Sequence, residues 1–365
     1  MEATPFTGLV GVQAFPFLGR QVAPSDCSAD TLMQPCPSEV FVFAVSRTVV
    51  VLSVAALSLT GCAAGSGGTP TPTPTPAASA IDNCGVSVPI TSPPQRVVTI
   101  KSTSTEMLLA LGLGDRIVGT AFQDGPVPAR WSADAASLPV LADKVPSQEV
   151  VLSATPDFVY AGWESNFSAD GAGTRSDLAA LGIRSYVSPS ACKEAAYQPS
   201  KLSFSDIDAE INQVAEIFSV DDSTLLANQH ATLAGVAKDT RGLSALWFSS
   251  GSSVPYIGAG IGAPQLILDT IGVRNIAGDI KDTWAPYNWE SVIAANPDVI
   301  VLVDASWSTK EKKIKVLEDN PATAKLDAVK NHRYLVVPFA ASEAGVRTVD
   351  AAEDLAQQLK AQTFG

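Results

Sequence analysis

Two apolar periods alternate along this chain from about residue 95 onward. A β-branched run, "RVVTI" (96–100), passes directly into "TSTEMLLALGL", where Met107, Leu108 and Leu111 share one helical face. Thr103 and Glu106 have capping-box spacing, and Gly112 or Gly114 stops the helix. "RIVGT" (116–120) is the next strand, so strand, helix and strand follow with short connections, which predicts a parallel sheet. Farther on, "LSALWFSS" reads as a strand and "APQLILDTIGV" as a helix, with Pro264 in its first turn and Gly272 at its stop. "YLVVPFAASEAGVRTVDAAEDLAQQL" closes the chain as strand, loop and terminal helix.

The pattern repeats once. "SQEVVLSATPDFVYAG", from Ser147, and "NWESVIAANPDVIVLV", from Asn288, each run from Glu through a short helix to Pro-Asp and an apolar strand. Glu149, Pro156 and Asp157 correspond to Glu290, Pro297 and Asp298. Copies so far apart point to two lobes of similar build rather than a solenoid. Between them, Ile207, Ile211, Val214, Ile217 and Phe218 lie on one helical face. The period continues through Leu225, Leu226, Gln229, Leu233 and Val236 to Gly242, with Asp221-Asp222 as a cap between the two segments.

The first 81 residues are different. Val49–Leu59 is apolar, follows Arg47, and is too short for the roughly 20 residues a bilayer span needs. It reads as an export signal, and Leu59-Thr60-Gly61-Cys62 resembles a bacterial lipobox with Cys62 as the lipidated residue. Residues 1–61 are expected to comprise a misassigned start, the true one near Met33 or Val45, plus the signal. Residues 62–81, rich in Pro and Thr, are expected to be an extended tether holding the folded part off the extracytoplasmic face of the cell membrane. The net charge of −13 argues against nucleic acid or an anionic lipid surface as the main partner. Cys84 and Cys192, the two other cysteines beyond the signal, form a disulfide in an oxidising compartment or are two buried thiols.

The stretches "RVVTIKSTSTEMLLALGLGDRIVGT", "VPSQEVVLSATPDFVYAGWESN" and "VSPSACKEA" resemble the substrate-binding lipoproteins of ABC importers for ferric siderophores and cobalamin. Within them they are similar to an actinobacterial group proposed to bind phospholactyl deazaflavin, the coenzyme F(420) precursor. The resemblance implies an α/β fold of two Rossmann-like lobes with parallel sheets joined by a single long backbone helix, the class III (cluster A) periplasmic-binding-protein fold. The lobes then fall at 82–203 and 243–365, with the linking helical region at 204–242. It further implies a permease, backed by a cytoplasmic ATPase, that docks with one acidic residue per lobe: Glu149 and Glu290. Ferric siderophore, haem and cobalamin are the alternative ligands.

The residues add candidate chemistry. Lys101 ends the first strand and precedes Ser102 and Thr103 at a helix N-terminus, which suits a phosphate or carboxylate; capping beside a solvated lysine is the other reading. Arg347 at the start of the last helix is its counterpart, or a partner of Glu343 or Asp350. Trp163, Tyr256, Trp284 and Trp307 follow predicted strands and suit a flat ligand, with Phe122 and Gln123 on the near wall. The expected ligand is therefore small, anionic and aromatic. Only His230 and His332 exist and no metal-ligand spacing occurs, so neither a metal site nor a cofactor is expected. No G-x-S-x-G elbow is present, and an anchored hydrolase is the remote alternative to a non-enzymatic binding protein.

Overall fold

The structure is a computed structural model that describes residues 80–364. The expected misassigned start, export signal, lipidated Cys62 and most of the tether lie outside the described residues. Ala80 and Ile81, placed in the tether by composition, belong to a strand. Ala80–Asn83 pairs antiparallel with Val86–Pro89 around a turn in which Cys84 and Gly85 both take positive φ, 52° and 75°. Cys84 is bonded to Cys192. Asn83 is buried and ties the hairpin to the first sheet, donating to the Val187 carbonyl and accepting from the Val187 amide, each at 2.8 Å.

That first sheet has the spatial order Val140–Ala142, Ile117–Ala121, Val97–Ile100, Phe158–Ala161, Arg184–Val187, and all its pairings are parallel. The central strand is buried on both faces, which explains its unbroken β-branched run, and its one hydroxyl, on Thr99, is bonded to Thr105 Oγ1 at 2.8 Å. Val97 packs on one side with Phe158, Tyr160 and the helix Phe204–Phe218; Val98 and Ile100 pack on the other with Val151 and Leu178.

The second sheet runs Trp284–Pro286, Tyr256–Gly258, Ser244–Ser250, Val299–Asp304, Tyr334–Pro338, with Arg274–Asn275 beside the start of Ser244–Ser250. It is not purely parallel. Tyr256–Gly258 folds back antiparallel on the end of Ser244–Ser250, and Trp284–Pro286 adds antiparallel to that. Gly251, at φ 88° and so close to the Val254 carbonyl that a Cβ would lie 2.1 Å from it, makes the tight reversal. Gly258 and Gly260 are close-packing positions too: a Cβ would fall 2.4 Å from Pro264 and 2.1 Å from the Gly278 carbonyl.

The internal echo is a structural equivalence. Gln148–Ser153 and Trp289–Ala295 are short helices capped by Ser147 and Asn288 side chains. Each gives way to a left-handed residue, Thr155 at φ 48° and Asn296 at φ 38°, directly before Pro-Asp. Asp157 then accepts from the Gln95 and Arg96 amides at 2.8 and 2.9 Å, and Asp298 from the Ser244 amide at 2.8 Å. In both halves the carboxylate fastens the start of the neighbouring central strand.

The link between the sheets differs from the single long helix expected. It is two helices, Phe204–Phe218 and Ser223–Gly235. Ser219 turns left-handed at φ 53° and ends the first; Asp221 then accepts from the Ser223 amide and hydroxyl, both at 3.0 Å, to start the second. The first helix packs on the first sheet's core, and the second packs against the terminal helix Thr348–Ala361.

Candidate functional site

A cavity of about 400 Å³ lies between the two sheets, at the carboxyl ends of their strands. The first half contributes Thr103, Gly162, Trp163, Ser165 and the segment 190–193; the second contributes Tyr256, segment 261–263, Thr283, Trp284 and segment 342–344. Gly162 is required where it stands: a Cβ there would lie 2.4 Å from Thr103 Oγ1 and 2.9 Å from Lys101 Cβ. Tyr256 stands at the mouth, 42% exposed. Trp284 lies parallel to Phe339, with centroids 6.0 Å apart at 13°. Phe339 also meets Trp163 and Trp307 edge-on, at 6.1 and 5.3 Å, so one phenyl ring organises three indoles.

Of the ligand candidates read from sequence, Thr103, Trp163, Tyr256 and Trp284 reach this wall. Lys101 does not. Its backbone has φ 83°, its side chain is fully buried, and its ammonium is ion-paired with Asp124. The rings of Trp163, Phe122 and Phe339 surround that ammonium at 3.8, 4.5 and 4.6 Å. Ser102 is equally engaged, its hydroxyl accepting from the Asp124 amide at 2.9 Å. The expected capping box is absent as well: the helix is Ser102–Ala110, its N-cap is Lys101, and no side chain caps it.

Phe122 belongs to the lysine cage, and Gln123 donates to Thr105 Oγ1 and the Ala121 carbonyl at 3.1 and 3.0 Å. Trp307 is 44% exposed and lies outside the cavity lining. Arg347 pairs at 3.2 Å with Glu106, not with Glu343 or Asp350; Asp350 takes Arg130 at 2.5 Å. Both cations proposed for an anionic ligand are therefore spent on carboxylates.

Sequence reasoning missed Asp124 as the partner of Lys101 and Glu343 as a cavity residue. Glu343 is 8% exposed on the inner wall; its Oε1 accepts from Trp163 Nε1 at 2.8 Å, and its Oε2 has no hydrogen-bond partner among the described residues. Burial pushes its carboxyl up to about 7, against the pull of Lys101 and with a further push from Asp124. Burial likewise raises Glu106 to about 7, partly countered by Arg347. The one available signal was position: Asp124 closely follows one strand exit and Glu343 follows another.

These contacts also bridge the halves. Trp163–Glu343, Glu106–Arg347 and Arg130–Asp350 cross between them, as do the bonds from Ser306 N to the Asp124 carbonyl (3.1 Å) and from Leu202 N to the Ile261 carbonyl (2.8 Å). Glu149 and Glu290 are exposed, each in the first turn of its equivalent helix.

Relatives share this architecture. A periplasmic binding protein from Veillonella parvula superposes with TM-score 0.68 at 27% identity, over 78% of this chain and 98% of its own. An ABC-type Fe3+-hydroxamate transport system protein from Saccharomonospora viridis gives TM-score 0.68 at 25% identity, over 78% and 99%. In sequence, the chain is 25% identical over 293 residues to YvrC of Bacillus subtilis, an uncharacterized ABC transporter substrate-binding lipoprotein, covering 78% of this chain and 85% of YvrC. Paired α/β halves, a cavity at their strand ends, and a family model matching residues 97–341 converge on one assignment: the chain belongs to the periplasmic binding protein family.

Proposed function

We propose that the chain is the lipid-anchored, extracytoplasmic binding component of an ABC importer and that its ligand is a ferric hydroxamate chelate. The observation that carries this reading is the cavity between the halves, walled by Trp163, Tyr256 and Trp284 and sized for a small organic ligand. The similarity to YvrC supports the importer role, and the similarity to the Saccharomonospora viridis protein supports the chelate. Delivery would engage Glu149 and Glu290 with the permease, ahead of its ATPase. Exposed charges of this kind mainly orient and steer the encounter.

Phospholactyl deazaflavin is the second reading, favoured by the flat aromatic faces of Trp284 and Trp163. It needs a phosphate site; the two cations expected to build one are paired with Asp124 and Glu106, which leaves only the exposed Lys193 among the cations lining the cavity. A hydrolase would need a base beside a cavity hydroxyl. His230 pairs with Asp208 at 2.7 Å and His332 lies 3.7 Å from Glu318, both on the exposed surface.

Native mass spectrometry and absorbance of the protein isolated from its own cells test the choice. Co-purified iron in a hydroxamate chelate supports the first reading; a deazaflavin chromophore without iron overturns it. Cys62→Ala should release the protein from the membrane fraction, and continued membrane association would refute the anchor.

A further inference from the structure

The charge of the cavity wall refines the ligand class; this inference rests on the ferric-hydroxamate reading. Two charged residues line the cavity, Lys193 and Glu343. Lys193 is exposed, and its backbone amide donates to Glu164 Oε2 at 2.5 Å. Glu343 is on the inner wall, more than nine-tenths buried, with Oε1 engaged by Trp163 and Oε2 without a donor. The nearest cation, Lys101, is already matched by Asp124. At the back of the cavity two carboxylates, Asp124 and Glu343, thus share one ammonium, that of Lys101, while Lys193 stands apart on the exposed part of the wall.

A buried acceptor without a donor costs free energy; a small shift of the Glu343 carboxyl toward the cavity would let an incoming donor recover it, and a charged donor recovers most. The indole of Trp284 on the same wall adds attraction for an ammonium, Trp163 being already engaged by Lys101. An ammonium placed there would favour the ionised form of Glu343, whereas a phosphate or carboxylate would gain nothing from a second acidic group beside it. We propose that this cavity recognises a positively charged end of its ligand, a primary ammonium carried on an otherwise neutral ferric chelate, with Glu343 as its counter-ion. This reverses the sign of the ligand charge expected from the sequence.

Ferrioxamine B, its N-acetyl derivative and its N-succinyl derivative present one ferric tris-hydroxamate core with an ammonium, a neutral amide or a carboxylate at the same end. Quenching of tryptophan fluorescence reads the binding of each to the wild-type protein and to Glu343→Gln, with near-ultraviolet circular dichroism reporting the variant's fold. The ammonium form should bind about tenfold more tightly than the acetylated form, as one charged hydrogen bond provides, and the succinylated form should bind weakest. Glu343→Gln should collapse that ranking. Equal affinities across the three in the wild-type protein, or an unchanged ranking in a folded Glu343→Gln, would overturn the role of Glu343 while leaving the hydroxamate reading intact. Failure of all three to bind would overturn the hydroxamate reading and this refinement with it.

Discussion

Lys101 and Asp124 form an ion pair from which water is excluded on both sides, each side chain having no exposed surface. Such a pair is expensive to bury and more expensive to break, because the surviving partner keeps its charge without compensation. Asp124→Asn should therefore destabilise the protein by about 3–5 kcal/mol in urea titration. Removing both charges together, as Lys101→Met with Asp124→Leu, should recover most of that loss. Affinity for ferric chelates should stay within a few-fold in the double variant. A loss of affinity that follows Lys101 alone would make the lysine a ligand contact after all.

Glu343 makes stability depend on pH in an unusual direction. Its folded-state value, about 7, lies above the ordinary value of 4.5, so the native state holds this proton more tightly than the unfolded chain does. The resulting stabilisation is complete below pH 4.5 and is lost as pH rises through about 7. It amounts to roughly 3 kcal/mol for a shift of this size. Glu343→Gln, which can still accept from Trp163 Nε1, should unfold with a flatter profile over that window. Identical pH slopes for the two ligand-free proteins would show that Glu343 binds its proton no more tightly in the native state than in the unfolded chain.

Much of the frame was legible because its signals are local. The Pro-Asp echo, the strand exits and the aromatic residues after them stand at fixed short spacings, and Trp163, Tyr256 and Trp284 reach one cavity. The errors arose where a distant partner decides. Nothing beside Lys101 reveals a carboxylate 23 residues ahead or a left-handed backbone that turns the ammonium inward. Arg347 answers to Glu106 across 241 residues. The break near Ser219 did show locally, in Asp221-Asp222 as a cap between two segments; it was the family resemblance, with its single long helix, that differed from the two helices observed.

Glu149→Arg combined with Glu290→Arg should abolish ligand uptake by cells while leaving affinity within a few-fold, since both residues are exposed and outside the cavity lining. Uptake assays beside titration of the purified protein separate the two effects. Parallel loss of binding would refute a docking role.

The Cys84–Cys192 bond closes 108 residues of chain and ends at the cavity, since Cys192 is part of its wall. Replacing both cysteines with serine should cost about 2–5 kcal/mol of stability. It should also weaken ligand binding by freeing the segment 190–193. Thermal unfolding and fluorescence titration of the same preparation read both; full affinity in the variant would confine the bond to a structural role.

The aromatic cage around Lys101 draws on both halves of the molecule, Phe122 and Trp163 from one and Phe339 from the other. Swinging the halves apart would strip the ammonium of a ring and let solvent in beside a buried charge. That cost should hold the resting protein closed, and small-angle scattering should return the same radius of gyration with and without ligand. The work of prising it open then falls to the transporter that receives the cargo.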